Sequence, residues 1–180
     1  MNKITITEAL AALKVLEKRI MNKQTAITPY LVRQDGLRDP LEKGGGSVQA
    51  IARERQALRD LETQKVAIRT AIQQINQVTD IEILGQKRTI AQWLTWRKDV
   101  APGQVKFLTT MRQGILTART NATRQGAGVV EAGKDAKPTD LVINVDEAEL
   151  AKEHEELDTI LATLDGQLSL KNATVLIEIP

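Results

Sequence analysis

Residues Ser47 to Val78 run for some thirty positions without Gly or Pro, and their apolar residues keep a seven-residue beat. Leu58, Leu61, Ile68, Ile72 and Ile75 fall on a and d positions, with Lys65 at an a position between them. That spacing predicts one long helix with a narrow apolar seam. At 1.5 Å per residue it would reach about 45 Å, so other segments or neighbouring subunits must lie alongside it. Ser47, just after Gly44-Gly45-Gly46, is the expected cap.

Composition supports the same class. Hydrophobic residues make up 42% of the chain but aromatic ones only 2%, so the interior must be built from Ala, Leu, Ile and Val. Aliphatic interiors suit helix seams better than compact cores that draw buried area from aromatics. The expected fold is mainly α, an elongated antiparallel helical bundle or coiled coil with a few short β segments. One helical domain is expected over 1–180. Flexible loops or arms are expected at 25–46 and 126–145, and a β-prone tail at 173–180.

The formal charge is only +2, too small to imply nucleic acid or an anionic membrane. Its distribution says more: Gly85 to Gln125 carries eight basic residues and one acid, and Asp146 to Asp165 eight acids and one Lys. The two segments are expected to face each other, within a subunit or between subunits; the bland alternative is two separately solvated faces. Without cysteine there are no disulfides or thiolate metal sites. The start, MNKITITEAL, lacks a signal-peptide pattern, and no apolar run reaches membrane-spanning length. Synthesis in the cytoplasm is expected, without a signal peptide.

Taken in order, Thr5 and Glu8 are spaced as a capping box opening a first helix with a stripe of Leu10, Leu13, Leu16 or Glu17, and Ile20. Pro29, Gly36, Pro40 and the glycine run then punctuate a connection in which Ile27 and Tyr30 to Val32 suggest a short extended piece. The glycine run is followed by Ser47-Val48-Gln49 and lacks the Lys-Ser/Thr pair of a phosphate loop. Ile81, Ile83 and Leu84 alternate before Gly85 turns the chain, and Thr89 caps a helix carrying Trp93 and Trp96 on one face. Pro102-Gly103 should break or kink it. The helix resumes through Val105, Leu108, Met111 or Arg112, Ile115 and Leu116, with Arg112, Arg119 and Arg124 as a basic side.

Val129-Val130 and Leu141 to Ile143 are expected to pair as a hairpin or project as an arm. The last helix carries Leu150, Leu157, Ile160 or Leu161, Leu164 and Leu168. His154, the only histidine, lies among glutamates, and one His builds neither a common metal site nor a triad. Val175 to Pro180 is an apolar tail that must pair with Ile4 to Ile6, with a short strand or with a neighbour.

No catalytic, cofactor-binding or metal motif stands out, and neither a cofactor nor a small-molecule ligand is expected. The candidate residues are those suited to interfaces: Trp93 and Trp96 as an aromatic anchor, Arg112 and Arg119 as the basic side, and Val175, Ile177 and Ile179 as a strand for exchange.

The order of elements resembles a known family. Ile6-Thr7-Glu8-Ala9-Leu10, a long helix ending near Gln74-Ile75-Asn76, Gly85-Gln86-Lys87-Arg88-Thr89-Ile90, Asn144-Val145-Asp146 and Glu155-Glu156-Leu157-Asp158 follow one another as in the septicolysin-type small helical proteins and their phage- and prophage-encoded relatives. The chain departs from them in Pro102-Gly103 and in its β-prone tail. The resemblance implies a mostly helical subunit assembled as a homo-oligomer with no active site to carry over, and its phage setting implies a head-associated, connector or tail component whose partners are itself and other virion proteins. The alternatives are a membrane-active pore-forming lysin and a nucleic-acid-binding adaptor using Arg112, Arg119 and Arg124.

Overall fold

A computed structural model describes residues 2–179. The chain is mainly α, with long helices α1 (Ile6–Ile27), α2 (Gly46–Val78), α4 (Ala101–Gln125) and α5 (Glu147–Thr174), and a short α3 (Ile90–Thr95). Among the described residues six short strands, β1 (Asn2–Thr5), β2 (Asp80–Ile83), β3 (Gln86–Thr89), β4 (Val129–Glu131), β5 (Leu141–Ile143) and β6 (Leu176–Ile179), form three two-stranded sheets. Contacts divide the chain into two compact units, Met1–Thr79 with Ser169–Pro180 and Asp80–Leu168.

The first unit is a helix pair closed by a β ribbon. Thr5 and Glu8 form the expected capping box: the Thr5 amide donates to the Glu8 carboxylate at 2.7 Å, and the Glu8 amide donates to Thr5 Oγ1 at 3.2 Å. The Thr5 amide foremost, and the Thr5 hydroxyl, which donates to the same carboxylate at 2.9 Å, hold the Glu8 carboxyl below its ordinary value. The buried stripe of α1 is Ile6, Ala9, Leu13 and Leu16, which turns Leu10 outward and corrects the expected Leu10 stripe. Leu61, Ile68 and Ile72 of α2 face it, and Ile75 packs at the edge.

Lys23 meets Glu54 at 2.6 Å, whereas Glu17 meets Lys65 at 3.0 Å and Arg69 at 3.1 Å. Partners on α2 rise in number as those on α1 fall, so the helices are antiparallel. The cation that interrupts the seam is therefore an intramolecular tie, and the Lys65 and Arg69 bonds hold the Glu17 carboxyl below its ordinary value.

The tail closes this unit. β6 pairs antiparallel with β1, Ile4 opposite Ile177 and Lys3 opposite Glu178, and Ile177 joins the α1–α2 core at 3% exposure. Pro180 lies outside the described residues. Between α1 and α2 the expected extended piece is absent: α1 runs to Ile27, and Thr28–Tyr30 is a turn of 3-10 helix. Ser47 is not the cap of α2 either. It sits buried inside the first turn, Gly45 is the N-cap, and the carboxylate of Asp39 receives the Ser47 amide.

The second unit starts with a tight hairpin. Leu84 and Gly85 both have positive φ, at 48° and 75°, the backbone that a two-residue turn needs to match strand twist. β2 turns Ile81 and Ile83 inward onto Ile90 and Trp93 and onto Ile160, Leu164 and Leu168 of α5. Thr89 caps α3 with Gln92 as reciprocal partner. Pro102 neither breaks nor ends the helical run. Trp96–Val100 forms a wide π turn in which the Ala101 amide bonds the Trp96 carbonyl, and Pro102, which has no N–H to carry the ladder on, follows it directly in the first turn of α4.

α4 and α5 then pack through Leu108, Leu150 and Leu157, flanked by Val105, Met111, Ile115 and Leu161. Arg119 near the end of α4 pairs with Glu147 at the start of α5, and Arg97 just ahead of α4 meets Asp165 at 2.6 Å. This pair is antiparallel too. The expected hairpin near 129–145 requires correction: β4 and β5 pair parallel, Val129 opposite Leu141. Asp140 makes the difference, because its carboxylate accepts from the amides of Gly128 at 3.1 Å and Lys137 at 2.9 Å while the Leu141 amide donates to the Gly128 carbonyl at 2.9 Å. The starts of both strands are thereby clamped side by side.

Candidate assembly surface

The second unit holds four of the seven residues singled out from the sequence, on two sides of the α4–α5 pair. On one side lies the aromatic anchor. Trp93 is fully buried and donates from Nε1 to the Ile81 carbonyl at 3.0 Å, so it is a core residue that no partner can reach. Trp96 is half-buried. Its ring meets that of Trp93 edge-on at 5.4 Å, and its Nε1 donates to Gln104 Oε1 at 3.1 Å.

The guanidinium of Arg88 lies 4.7 Å from the Trp93 ring centroid and 5.8 Å from that of Trp96, a cation–π stack that also donates to Gln86 at 3.1 Å. Arg88, Trp96 and Phe107 line one groove of about 340 Å³ together with Glu153 and Glu156 of α5. Phe107, the only Phe of the chain, is 64% exposed at its lip.

On the other side α4 presents Arg112, Leu116 and Arg119, and α5 presents Glu147, Ala151, His154, Glu155 and Asp158. Two hollows, of about 430 and 460 Å³, lie along this face and share Arg112 and Ala151. Arg119 is paired with Glu147, and His154 Nδ1 lies 3.1 Å from Asp158. Among the described residues Arg112, Arg124 and Glu155 make no ion pair, and Leu116 is 57% exposed between the charges. The oppositely charged segments thus meet inside one chain at Arg119–Glu147 and Arg97–Asp165, leaving Arg112 and Glu155 free on one face.

Val175, Ile177 and Ile179 belong to the first unit. Ile177 is buried in its core, and Val175 and Ile179 pack half-buried against it. The sequence reading missed Arg88, Phe107, Ala151, Glu155 and Asp158. Only Phe107 carried a signal of its own, as the single Phe; the others become neighbours of the candidates through the pairing of α4 with α5.

Among the described residues no group of three or more His, Cys, Asp or Glu is placed to hold a metal ion, and no helix is long and apolar enough to cross a membrane. The start of α2 after the glycine run offers no free amides for phosphate at Ser47, because Asp39 occupies that amide. What the α4–α5 pair presents is a charged, shallow face with an apolar centre, and across from it an aromatic-lined groove.

A solved structure from Corynebacterium diphtheriae, described as a functionally unknown conserved protein, is similar to this chain over 98% of its length and 100% of that protein's, with 17% sequence identity and a TM-score of 0.55. At that identity the likeness concerns the fold alone. No protein-family model matches the chain. No curated protein matches it.

Proposed function

We propose that the chain is a structural, non-enzymatic protein that assembles with copies of itself. The observation that supports this reading most is the helix pair of the second unit, which leaves Phe107 and Leu116 64% and 57% exposed on its two sides. Scattered apolar residues are ordinary on a protein surface. Here they sit at the lip of one groove and the wall of another, flanked by charges of both signs, which is how an interface centre and its rim are built. The tail is not the exchanged piece in this reading, since β6 pairs with β1 of its own chain.

The setting we propose, a phage or prophage particle with other virion proteins as further partners, rests on the order of sequence elements. Light scattering of the purified chain is expected to give a multimer; a monomer at every concentration would overturn self-assembly. Mass spectrometry of particles purified from cells carrying the gene is expected to find the chain. Its absence would remove the virion setting. Added to dye-loaded vesicles the protein is expected to release nothing, whereas leakage would favour the lysin reading.

A further inference from the structure

Resting on the proposal that the chain self-associates, we infer that its partner surface is the Arg112–Leu116 side of α4 with the Ala151–Asp158 side of α5, and that the occupant is the same face of a second copy. The argument is one of charge and symmetry. α4 and α5 lie side by side and antiparallel, and Arg112 shares a hollow with His154, Glu155 and Asp158, so these residues stand at about the same level along the pair. A two-fold axis parallel to the helices and lying in this face carries α4 of the second copy over α5 of the first at that level.

Arg112 of each copy then meets Glu155 and Asp158 of the other, and Leu116 of each copy covers Ala151 of the other. A basic row beside an acidic row is self-complementary under that rotation, as an isologous interface requires. The product is two layers of two helices, the packing of a four-helix bundle. Arg112 and Glu155 have no ion-pair partner among the described residues of their own chain, and Leu116 gains the cover it lacks.

Size sets the character of the contact. From Glu147 to Ala162 the face is about 24 Å long at 1.5 Å per residue and about 20 Å wide across two helices. Two such faces bury on the order of 1,000 Å² in total, the lower edge of specific interfaces. With few apolar groups at its centre, the dimer depends on its charges and weakens with added salt.

The test is sedimentation velocity at low and high salt on the full chain, on Arg112→Glu, on Glu155→Arg and on the two combined, with Lys14→Glu on an exposed position of α1 as control. Each single reversal is expected to weaken dimerisation by about tenfold or more, since like charges then face each other twice across the axis. The combined reversal restores it, and the control changes nothing. Leu116→Glu, which alters shape and apolar cover, is expected to abolish the dimer. Circular dichroism confirms that each variant is folded, as expected for exposed positions. A wild-type chain that stays monomeric overturns both this surface and self-assembly. An oligomer indifferent to Arg112→Glu, Glu155→Arg and Leu116→Glu overturns this surface alone, and a combined reversal that fails to restore the dimer overturns the Arg112–Glu155 contact.

Discussion

Asp39 reaches forward across the glycine run to Ser47, accepting from its amide at 2.8 Å through one carboxylate oxygen and from its hydroxyl at 2.7 Å through the other. The second oxygen also accepts from the Leu41 amide at 2.8 Å. A carboxylate at the start of a helix is favoured by the exposed N–H groups there. The longest helix of the chain therefore begins where a residue eight positions upstream permits it.

These bonds, the Ser47 amide foremost, hold the Asp39 carboxyl below its ordinary value of 3.8. A group depressed in the folded state contributes stability that is complete above its unfolded value and lost as pH falls through the folded one. The amides of Leu41 and Ser47 are expected to keep their protection from hydrogen exchange down to about pH 4 and to lose it below. Asp39→Ala should remove that protection at neutral pH. Protection that fades well above pH 4, or that survives Asp39→Ala, would show that the carboxylate does not hold this junction.

Trp93 combines full burial with a hydrogen bond to Ile81. Trp93→Ala is expected to cost about 3–5 kcal/mol through the cavity it leaves. Trp93→Phe should cost about 1–3 kcal/mol, through the loss of the Nε1–H bond to the Ile81 carbonyl and the smaller volume of the ring. Urea unfolding followed by circular dichroism measures both; a Trp93→Ala variant within about 1 kcal/mol of wild type would contradict the assigned core role.

Ile177 is as much a part of the first unit's core as Leu61 or Ile68. Ile177→Ala should destabilise the protein by about 2–5 kcal/mol. Removal of residues 175–180 should leave Ile4 and Ile6 uncovered and loosen α1 from α2. If thermal melts of the truncated chain matched those of the intact one, the tail would not be a structural strand of this unit.

A Cβ at Gly128 would stand 2.6 Å from Asp140 Oδ1. Gly128→Ala must push that carboxylate away and break its hold on the strand starts, at a cost of about 1 kcal/mol. The nuclear magnetic resonance signal of the Lys137 amide, which donates to the same carboxylate, is expected to move. An unchanged Lys137 signal would mean that Asp140 does not set the parallel register.

Much of the fold is legible from local chemistry. Thr5 with Glu8 and Thr89 with Gln92 mark helix starts because the capping bonds join residues three apart. The seam of α2 is readable because a helix places every seventh residue on nearly one line. Of the candidate surface, Arg112 and Arg119 share a side for the same reason. Glu155 and Ala151 could not be joined to them, since that requires the alignment of α4 against α5, which depends on how Leu108, Leu150 and Leu157 pack. Trp93 and Trp96 share a face as the spacing indicates, yet one is core and the other reaches the groove, because Trp96 opens the π turn ahead of Pro102.

The amino-acid sequence by itself determined that this chain is mainly helical, where two of its helices start and which side of α2 is apolar, because those properties follow from bonds and spacings within a few residues. Only the tertiary structure decided that Lys65 is neutralised by Glu17, that the tail returns to β1, that β4 and β5 run parallel, and that one face of α4–α5 keeps an arginine and a glutamate free. Each of those outcomes joins residues distant along the chain, and depends on which of several chemically similar partners the packed core brings within reach.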